Sequence, residues 1–215
     1  MNIRSKMLLG MMIVSGLLFQ NSVFGTMTGV DYYGIEHTYE SFEDVIVGIT
    51  KDKLTSLDIY GNNIGDAGAQ AFAEALMNEN CKLTSLNIGH NKIGTAGAQA
   101  MAEALMNENC NLTSLDIRKN NIGDDGARSI AGALKFNLDE NKKLLEELKE
   151  NTNLIKMKEG KKGKNSHTNI INLNISTNDI SNKDIIKEIK GYLIENRKMY
   201  KEINNFEFVF QDFIF

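Results

Sequence analysis

The chain of 215 residues contains no Pro and no Trp, and it has only two Cys and three His. The three His lie in unrelated sequence contexts, and none stands at a metal-binding spacing from a Cys. No Gly-rich phosphate-binding loop is present, so the usual side-chain sets for metal, nucleophilic or nucleotide chemistry are missing. We therefore predict a protein that is not an enzyme and that needs no cofactor.

Positive charge is also in short supply, with 24 Lys and Arg against 28 Asp and Glu and a formal net charge of −4. Nucleic-acid binding depends on clustered Lys and Arg that neutralise phosphates, so this balance argues against a nucleic-acid partner. The exception is a lysine-rich run at 156–164, which contains two Gly and no aromatic residue to stack on bases. We interpret this run as a solvated loop.

The N-terminus carries an apolar run from Met7 to Phe19 behind Arg4 and Lys6. A helix of this length spans about 20 Å, short of the roughly 30 Å hydrocarbon core of a bilayer, so we predict a signal peptide over residues 1–25. Cleavage after Gly25 would remove two positive charges, changing the formal net charge from −4 to −6. The mature chain would then be exported to the periplasm, cell surface or medium, without stable membrane insertion. An uncleaved anchor or a buried cap helix is the alternative.

The rest of the chain is dominated by an internal repeat with a period of 29 residues. The segment 54–82 recurs at 83–111 with 22 of 29 residues identical, and again more loosely from Leu112. At a fixed period, each unit is one supersecondary element that buries its apolar face against its neighbours. The sequence therefore predicts a solenoid.

Each unit joins a short strand to an amphipathic helix. The strand pattern is L-x-x-L-x-I-x-x-N-x-I, and we expect its Asn to bond to turn backbone groups and to stack from unit to unit as a ladder. After the strand of the first unit, Asp66 is the predicted N-cap of a helix with apolar residues at helical spacing. The ladder positions are Asn62, Asn91 and Asn120, with Asn178 in the same place later.

This strand, turn and helix resemble the ribonuclease-inhibitor-like branch of the leucine-rich repeat family, which includes ribonuclease inhibitor, Ran GTPase-activating protein and NOD-like receptors. The resemblance is close over 54–137 and loose over 170–197. It implies an α/β fold: a right-handed βα leucine-rich-repeat solenoid, or short horseshoe, with a parallel concave sheet and outer helices. The usual work of the family is protein binding.

The regular repeats at 54–137 are flanked by less regular segments. Residues 26–53 are expected to form an N-terminal cap, with an edge strand at 30–35 and a helix that begins at a capping box of Ser41 and Asp44. Residues 138–169 are expected to be an irregular insertion, helical at 138–150, followed by a degenerate repeat whose strand begins at Leu154. The strand pattern returns at 170–180, so 170–198 is the predicted final repeat, with Asn182 capping its helix.

The end of the chain, 199–215, is predicted to be a tail or cap. Five Phe lie within 206–215 and would favour aggregation if exposed, so we expect this segment to fold over the open end as a strand. The alternatives are a tail that binds a partner or contacts a membrane, and a segment without a role.

Outward positions of the predicted strands form columns along the sheet. Neighbouring strands lie about 4.8 Å apart, so alternating Asp with Asn keeps carboxylates from facing one another. Tyr and Arg are favoured at interface hot spots, which makes the columns candidate contact sites. The predicted partner-binding residues are Asp58, Tyr60, Asn87, His90, Asp116, Arg118 and Lys119. The alternative is a set of ordinary exposed strand residues.

Cys81 and Cys110 occupy equivalent positions in adjacent repeats, just before a strand. Their backbones could approach the separation of about 4.4–6.8 Å that a disulfide needs. The alternative, which we favour, is a pair of small buried thiols.

These features predict an exported, non-catalytic module that binds a protein partner through its concave face, with a host-directed or envelope-associated role. The alternatives are a regulator of an enzyme such as a ribonuclease or a small GTPase, and a remnant of a longer repeat protein. The predicted face covers only ~300 Å², against ~800 Å² per partner in a standard interface. Loops or a second copy must therefore contribute to binding.

Overall fold

A computed structural model describes residues 27–151 and 172–211. Strands and helices alternate along most of this part of the chain. In chain order the elements are β1 (Met27–Asp31), β2 (Glu36–Tyr39), α1 (Phe42–Lys51), β3 (Leu54–Asp58), α2 (Gly65–Leu76), β4 (Ser85–Asn87), α3 (Thr95–Leu105), β5 (Ser114–Asp116), α4 (Gly123–Asn151), β6 (Asn172–Asn174) and α5 (Lys183–Gln211).

The six strands form one sheet in the order β2-β1-β3-β4-β5-β6. Strands β3 to β6 are parallel, whereas β1 runs antiparallel to both of its neighbours. Ser56 pairs with Ser85 and Ser85 with Ser114, so equivalent residues of successive repeats lie side by side. The parallel sheet with alternating helices confirms the predicted α/β solenoid.

The core lies between the sheet and the helices, because strands β3, β4 and β5 bury their leucines and the helices bury their apolar faces. The equivalent strand residues Leu57, Leu86 and Leu115 are each 1 % exposed. Fully burying a side chain of this size stabilises the fold by about 1.5–3 kcal/mol. The facing helix positions, equivalent in the three repeats, are the fully buried Phe72, Met101 and Ile130.

The N-terminal end differs from the prediction of a single edge strand at 30–35. It is a hairpin of β1 and β2, because the Asp31 carboxylate accepts the backbone N–H groups of Tyr33 and Ile35 and so closes a turn. Helix α1 follows, with Ser41 as its N-cap accepting the N–H of Asp44 over 3.1 Å. The predicted role of Ser41 is confirmed, and the strand prediction was wrong at its C-terminal half.

Asp66 was predicted to cap its own helix, and this prediction was wrong. It caps the helix of the next repeat. Helix α2 already begins at Gly65, and Oδ1 of Asp66 accepts the N–H groups of Gly94 and Gly97 at the start of α3. Asp124 repeats this arrangement two repeats on, accepting from Ser181 and Asn182 before α5. These carboxylates therefore join successive repeats, as free N–H groups at a helix start attract an acidic acceptor.

The insertion after the third repeat continues helix α4, which runs unbroken over 29 residues. The prediction of an extended helix at 138–150 is confirmed. Because Ser114 of β5 pairs directly with Asn172 of β6, no further strand separates them in the sheet. The degenerate repeat predicted after residue 150 falls mainly on 152–171, outside the described residues, and stays a prediction. The strand expected at Leu154, the lysine-rich run and the signal peptide lie outside the described residues.

Helix α5 begins directly after Asn182, whose Oδ1 accepts the N–H of Asp184 over 2.9 Å. It continues to Gln211, so the boundary expected at 198/199 falls within it, and the strand predicted at 206–215 was wrong over 206–211. The chain has no Pro to end this helix. Beyond the sheet, Leu138, Leu145 and Met199 form a second apolar cluster where α4 and α5 pack together.

Candidate functional site

The candidate site is the strand face, by which we mean the side of the sheet that carries the outward positions of β3 to β6 and the turns after them. Strands β4, β5 and β6 are three residues long, so each exposes little of its own. Most of the variable side chains therefore lie in the turns that follow.

The Asp and Asn column shapes those turns. Oδ1 of Asp58 accepts the backbone N–H of Tyr60 over 2.9 Å, and Oδ1 of Asp116 accepts that of Arg118 over 3.1 Å. Asn87 and Asn174 hold the equivalent N–H groups of their own coils. A side chain that bonds its own backbone two residues on is the Asx turn that Asp and Asn favour.

Neighbouring members of the column also bond to each other. The amide of Asn87 donates to Oδ2 of Asp58 over 3.1 Å, and that of Asn174 to Oδ2 of Asp116 over 3.3 Å. The alternation of Asp and Asn does more than keep carboxylates apart. Each of these amides also donates a hydrogen bond to a neighbouring carboxylate. Asp58, Asn87 and Asp116 support the face and are already engaged with their neighbours.

Four other predicted contact residues meet in one place, which we call the Tyr60 cluster: Tyr60, His90, Arg118 and Lys119. The Tyr60 ring stacks on the His90 ring at 5.6 Å between centroids and 25° between planes. The position beneath Tyr60 in the next coil is Gly89, where a Cβ would lie 3.0 Å from Cδ2 of the Tyr60 ring. The absence of a side chain at 89 therefore lets the tyrosine lie flat across the second coil.

Two cations from the third repeat complete the cluster. The guanidinium carbon of Arg118 is 5.6 Å from the centroid of the Tyr60 ring, and Nζ of Lys119 is 5.7 Å away. Lys119 Nζ also donates to the Tyr60 hydroxyl over 3.0 Å, and Arg118 Nε lies 3.3 Å from Oδ2 of Asp116. Cation–π contacts at an exposed site contribute about 0.5–1 kcal/mol, so the cluster orders itself without a ligand.

His90 and Lys119 share an unusual backbone. Their φ angles are 56° and 55°, in the left-handed region, and the equivalent Gly61 and Thr177 have φ of 77° and 54°. This turn thus requires a positive φ in all four coils, and only the first coil meets it with glycine. A non-glycine residue in this region costs roughly 1–2 kcal/mol.

Sequence reasoning missed a second exposed feature, at the tip of the β1–β2 hairpin. Tyr32 and Tyr33 are 75 % and 76 % exposed, and Ile35 is 57 % exposed. The signal was present in the sequence, because two adjacent Tyr before a Gly cannot both face one core in a tight turn. The predicted continuous strand over 30–35 concealed it.

No group of His, Cys, Asp and Glu within 27–151 and 172–211 could hold a metal ion. Cys81 and Cys110, considered above as a disulfide, are not bridged to each other, and they are buried at 0 % and 2 % exposure. Burial raises the pKa of the Cys81 thiol above its ordinary value, which suppresses the reactive thiolate. In the described part of the chain, no helix combines the length and the apolar character needed to cross a bilayer.

Comparison with known proteins identifies the repeats. The leucine-rich repeat family model matches three consecutive segments, 52–73, 79–102 and 108–131. No curated protein matches the chain. A solved structure that it resembles is Leiomodin-1 Actin-Binding Site 2, at 15 % identity and a TM-score of 0.49, covering 79 % of this chain and 96 % of the other. The three matched segments coincide with the coils of β3, β4 and β5, so residues 52–131 carry three leucine-rich repeats.

Proposed function

We propose that the chain is a non-catalytic module that binds a protein partner through its strand face, with the Tyr60 cluster at the centre of the contact. Leucine-rich repeats generally mediate protein–protein interaction, which gives the class of function. The observation that carries the proposal is the meeting of Tyr60, His90 and Arg118, from three successive coils, on one exposed surface. Tyr and Arg are among the residues enriched at interface hot spots.

The contacts within the cluster favour binding because they lower its entropic cost. Immobilising a flexible side chain on association costs about 0.5–1.5 kcal/mol. Lys119 is already held by the Tyr60 hydroxyl, and Arg118 by Asp116 and the Tyr60 ring. Much of the side-chain entropy that binding would remove is therefore already lost on folding.

The backbone at His90 and Lys119 supports the same proposal. Glycine would remove the backbone strain of a positive φ at both positions. Both nevertheless carry large side chains that reach the Tyr60 ring. Strained conformations of this kind cluster at ligand-binding sites. We infer that these side chains are retained for the contacts they make.

We also propose that the chain is exported, on the basis of the apolar run at 7–19 behind Arg4 and Lys6. A host-directed or envelope-associated partner would follow from that location. The repeat type is proposed to be that of ribonuclease inhibitor, which is supported by helices after the strands and by hydrogen bonds that join residues 29 apart.

The test is chemical cross-linking of the full chain in its native compartment, with wild type compared to a triple variant. The variant Tyr60→Ala, His90→Gly, Lys119→Gly removes the cluster while relieving backbone strain at two positions. Thr177→Gly is the matched control, because it relieves the same strain outside the cluster. We expect one protein to be cross-linked to wild type and to the control but not to the folded triple variant. Equal cross-linking of all three would contradict the proposal.

A further inference from the structure

The tip of the β1–β2 hairpin and strand β2 form a second surface, separate from the strand face. We call it the N-terminal edge surface: Tyr32, Tyr33, Ile35 and β2. The two tyrosine rings meet edge to face, with 5.5 Å between centroids and 85° between planes. Their exposed fractions are 75 % and 76 %.

The tip is held firmly. Oδ1 of Asp31 accepts the N–H groups of Tyr33 and Ile35 over 2.8 and 2.9 Å. Nε2 of His37 lies 3.2 Å from Oδ2 of the same carboxylate, which is only 8 % exposed. The backbone of Asp31 also pairs with Ile35 and Gly34, and Thr55 of β3 donates its hydroxyl to Val30 O. The exposed tyrosines therefore stand on a rigid support.

Strand β2 is the edge strand at the N-terminal end of the sheet, and nothing in 27–151 or 172–211 pairs with its other side. Its residues alternate, with Glu36 and Thr38 exposed and His37 and Tyr39 half-buried. The Tyr39 hydroxyl donates to Oδ2 of Asp52 over 3.0 Å, which fixes the strand against the end of α1. An ordered open edge of this kind is a template for an added strand.

Charge indicates what kind of strand fits. Residues 27–53 contain two Lys and six acidic residues, Asp31, Glu36, Glu40, Glu43, Asp44 and Asp52, which gives a formal charge of −4. A second copy would bring the same charge to the same edge, and an anionic membrane would be repelled. A basic segment would place its cations opposite Glu36 and Glu40 and over the faces of Tyr32 and Tyr33.

We propose that the N-terminal edge surface binds an extended basic segment of a partner protein, which adds as a strand along β2 and contacts the tyrosines at the tip. This surface is independent of the Tyr60 cluster. It gives the molecule a second contact area of opposite charge character, at one end of the sheet. A partner that uses both surfaces would overcome the small size of the strand face.

The test uses the full chain and two synthetic decapeptides, (Lys-Val)5 and (Glu-Val)5, titrated by NMR at low ionic strength. We expect only the lysine peptide to bind. Binding should change the chemical shifts of the β2 amides and slow their hydrogen exchange. The double variant Tyr32→Ser, Tyr33→Ser should bind about tenfold more weakly, because aromatic side chains contribute much of the binding energy at interface hot spots. Both side chains are largely exposed, so the variant should stay folded by circular dichroism.

Tyr60→Ser is the matched control, because it removes a tyrosine from the strand face and should leave peptide affinity unchanged. The proposal is overturned if neither peptide binds, or if both bind equally. It is also overturned if the tyrosine pair instead controls a concentration-dependent dimer, or the capture of the chain by phosphatidylglycerol vesicles.

Discussion

The backbone N–H of Asn62 donates to Oδ1 of Asn91 over 2.7 Å, although the two residues are 29 positions apart. The same bond joins Asn91 to Asn120 and Asn120 to Asn178. The amide nitrogens of these side chains donate to carbonyls of the strand ends, such as that of Ile59. The ladder predicted from the sequence is confirmed, and it fixes the distance between successive turns of the strand face.

The first prediction uses the end of this ladder. Asn91→Ala leaves the N–H of Asn62 without its acceptor, and a buried unpaired donor costs about 1–3 kcal/mol. Asn62→Ala leaves no backbone donor without its acceptor, because Oδ1 of Asn62 accepts no hydrogen bond from the described residues. We expect Asn91→Ala to lower the free energy of unfolding in urea by ~2 kcal/mol more than Asn62→Ala does. Equal losses would show that the ladder bonds are not cooperative links between coils.

The second prediction concerns the positive φ at His90. His90→Gly and His90→Ala both remove the stacked ring, but only glycine adopts the left-handed backbone conformation without strain. We expect the glycine variant to be more stable than the alanine variant by about 1 kcal/mol in urea unfolding. The same order should hold at Thr177. An alanine variant as stable as the glycine variant would contradict a left-handed backbone at this turn.

The third prediction tests the link between repeats at Asp66. Asp66→Ala removes the acceptor for two N–H groups at the start of α3, so the free energy of unfolding should fall by about 1–2 kcal/mol. Asp66→Asn keeps an acceptor oxygen and should lose less. Asp125→Ala, at an exposed site in the first turn of α4, is the control and should change stability little. A similar loss for Asp125→Ala would assign the effect to the helix dipole.

The fourth prediction is a pH dependence at Asp124. Hydrogen bonds from the Ser181 hydroxyl and the Asn182 N–H hold the pKa of this carboxyl below its ordinary value. A group with a lowered folded pKa stabilises the fold above its unfolded pKa of about 3.9, and that contribution disappears as the pH falls through the folded pKa. We expect wild type to lose more stability than Asp124→Asn between about pH 5 and pH 2. If the stability of the two proteins changes with pH in parallel, the lowered pKa of Asp124 is contradicted.

The fifth prediction concerns the cysteines. Both thiols are buried, so a thiol reagent should react slowly with the native chain and should titrate two thiols after unfolding without reductant. The raised pKa of Cys81 slows the native reaction further, because the thiolate is the reacting form. The absence of titratable thiols in the unfolded protein would establish a disulfide between Cys81 and Cys110.

Much of the fold follows from the sequence because the repeat is nearly exact. Identical residues at a fixed spacing must occupy equivalent environments, so the register Ser56–Ser85–Ser114 is implied by the alignment of the repeats. The two adjacent columns that contain Tyr60 with Arg118 and His90 with Lys119 followed for the same reason. Its internal contacts did not, since the stack on His90 and the cations over the Tyr60 ring depend on rotamers and on the space above Gly89.

Two predictions failed because a carboxylate forms hydrogen bonds that the local sequence pattern does not show. Asp66 has the sequence of a cap for its own helix, but its oxygens are taken by the helix of the next repeat. The segment 30–35 has the apolar content of a strand, but the Asp31 carboxylate closes a turn there. The partners of Asp66 are chosen by tertiary proximity, whereas the turn at Asp31 is closed by hydrogen bonds to residues two and four positions on.

The sequence by itself determined the period, the solenoid, the Asn ladder and the residues that face outward. These follow from spacing, because a side chain's face is fixed by its position in a repeating unit. Only the tertiary structure decided which outward side chains meet, which carboxylates join neighbouring repeats, and that the hairpin exposes two tyrosines on an open edge. Those outcomes depend on distances between atoms far apart in the chain, and sequence spacing does not set these distances.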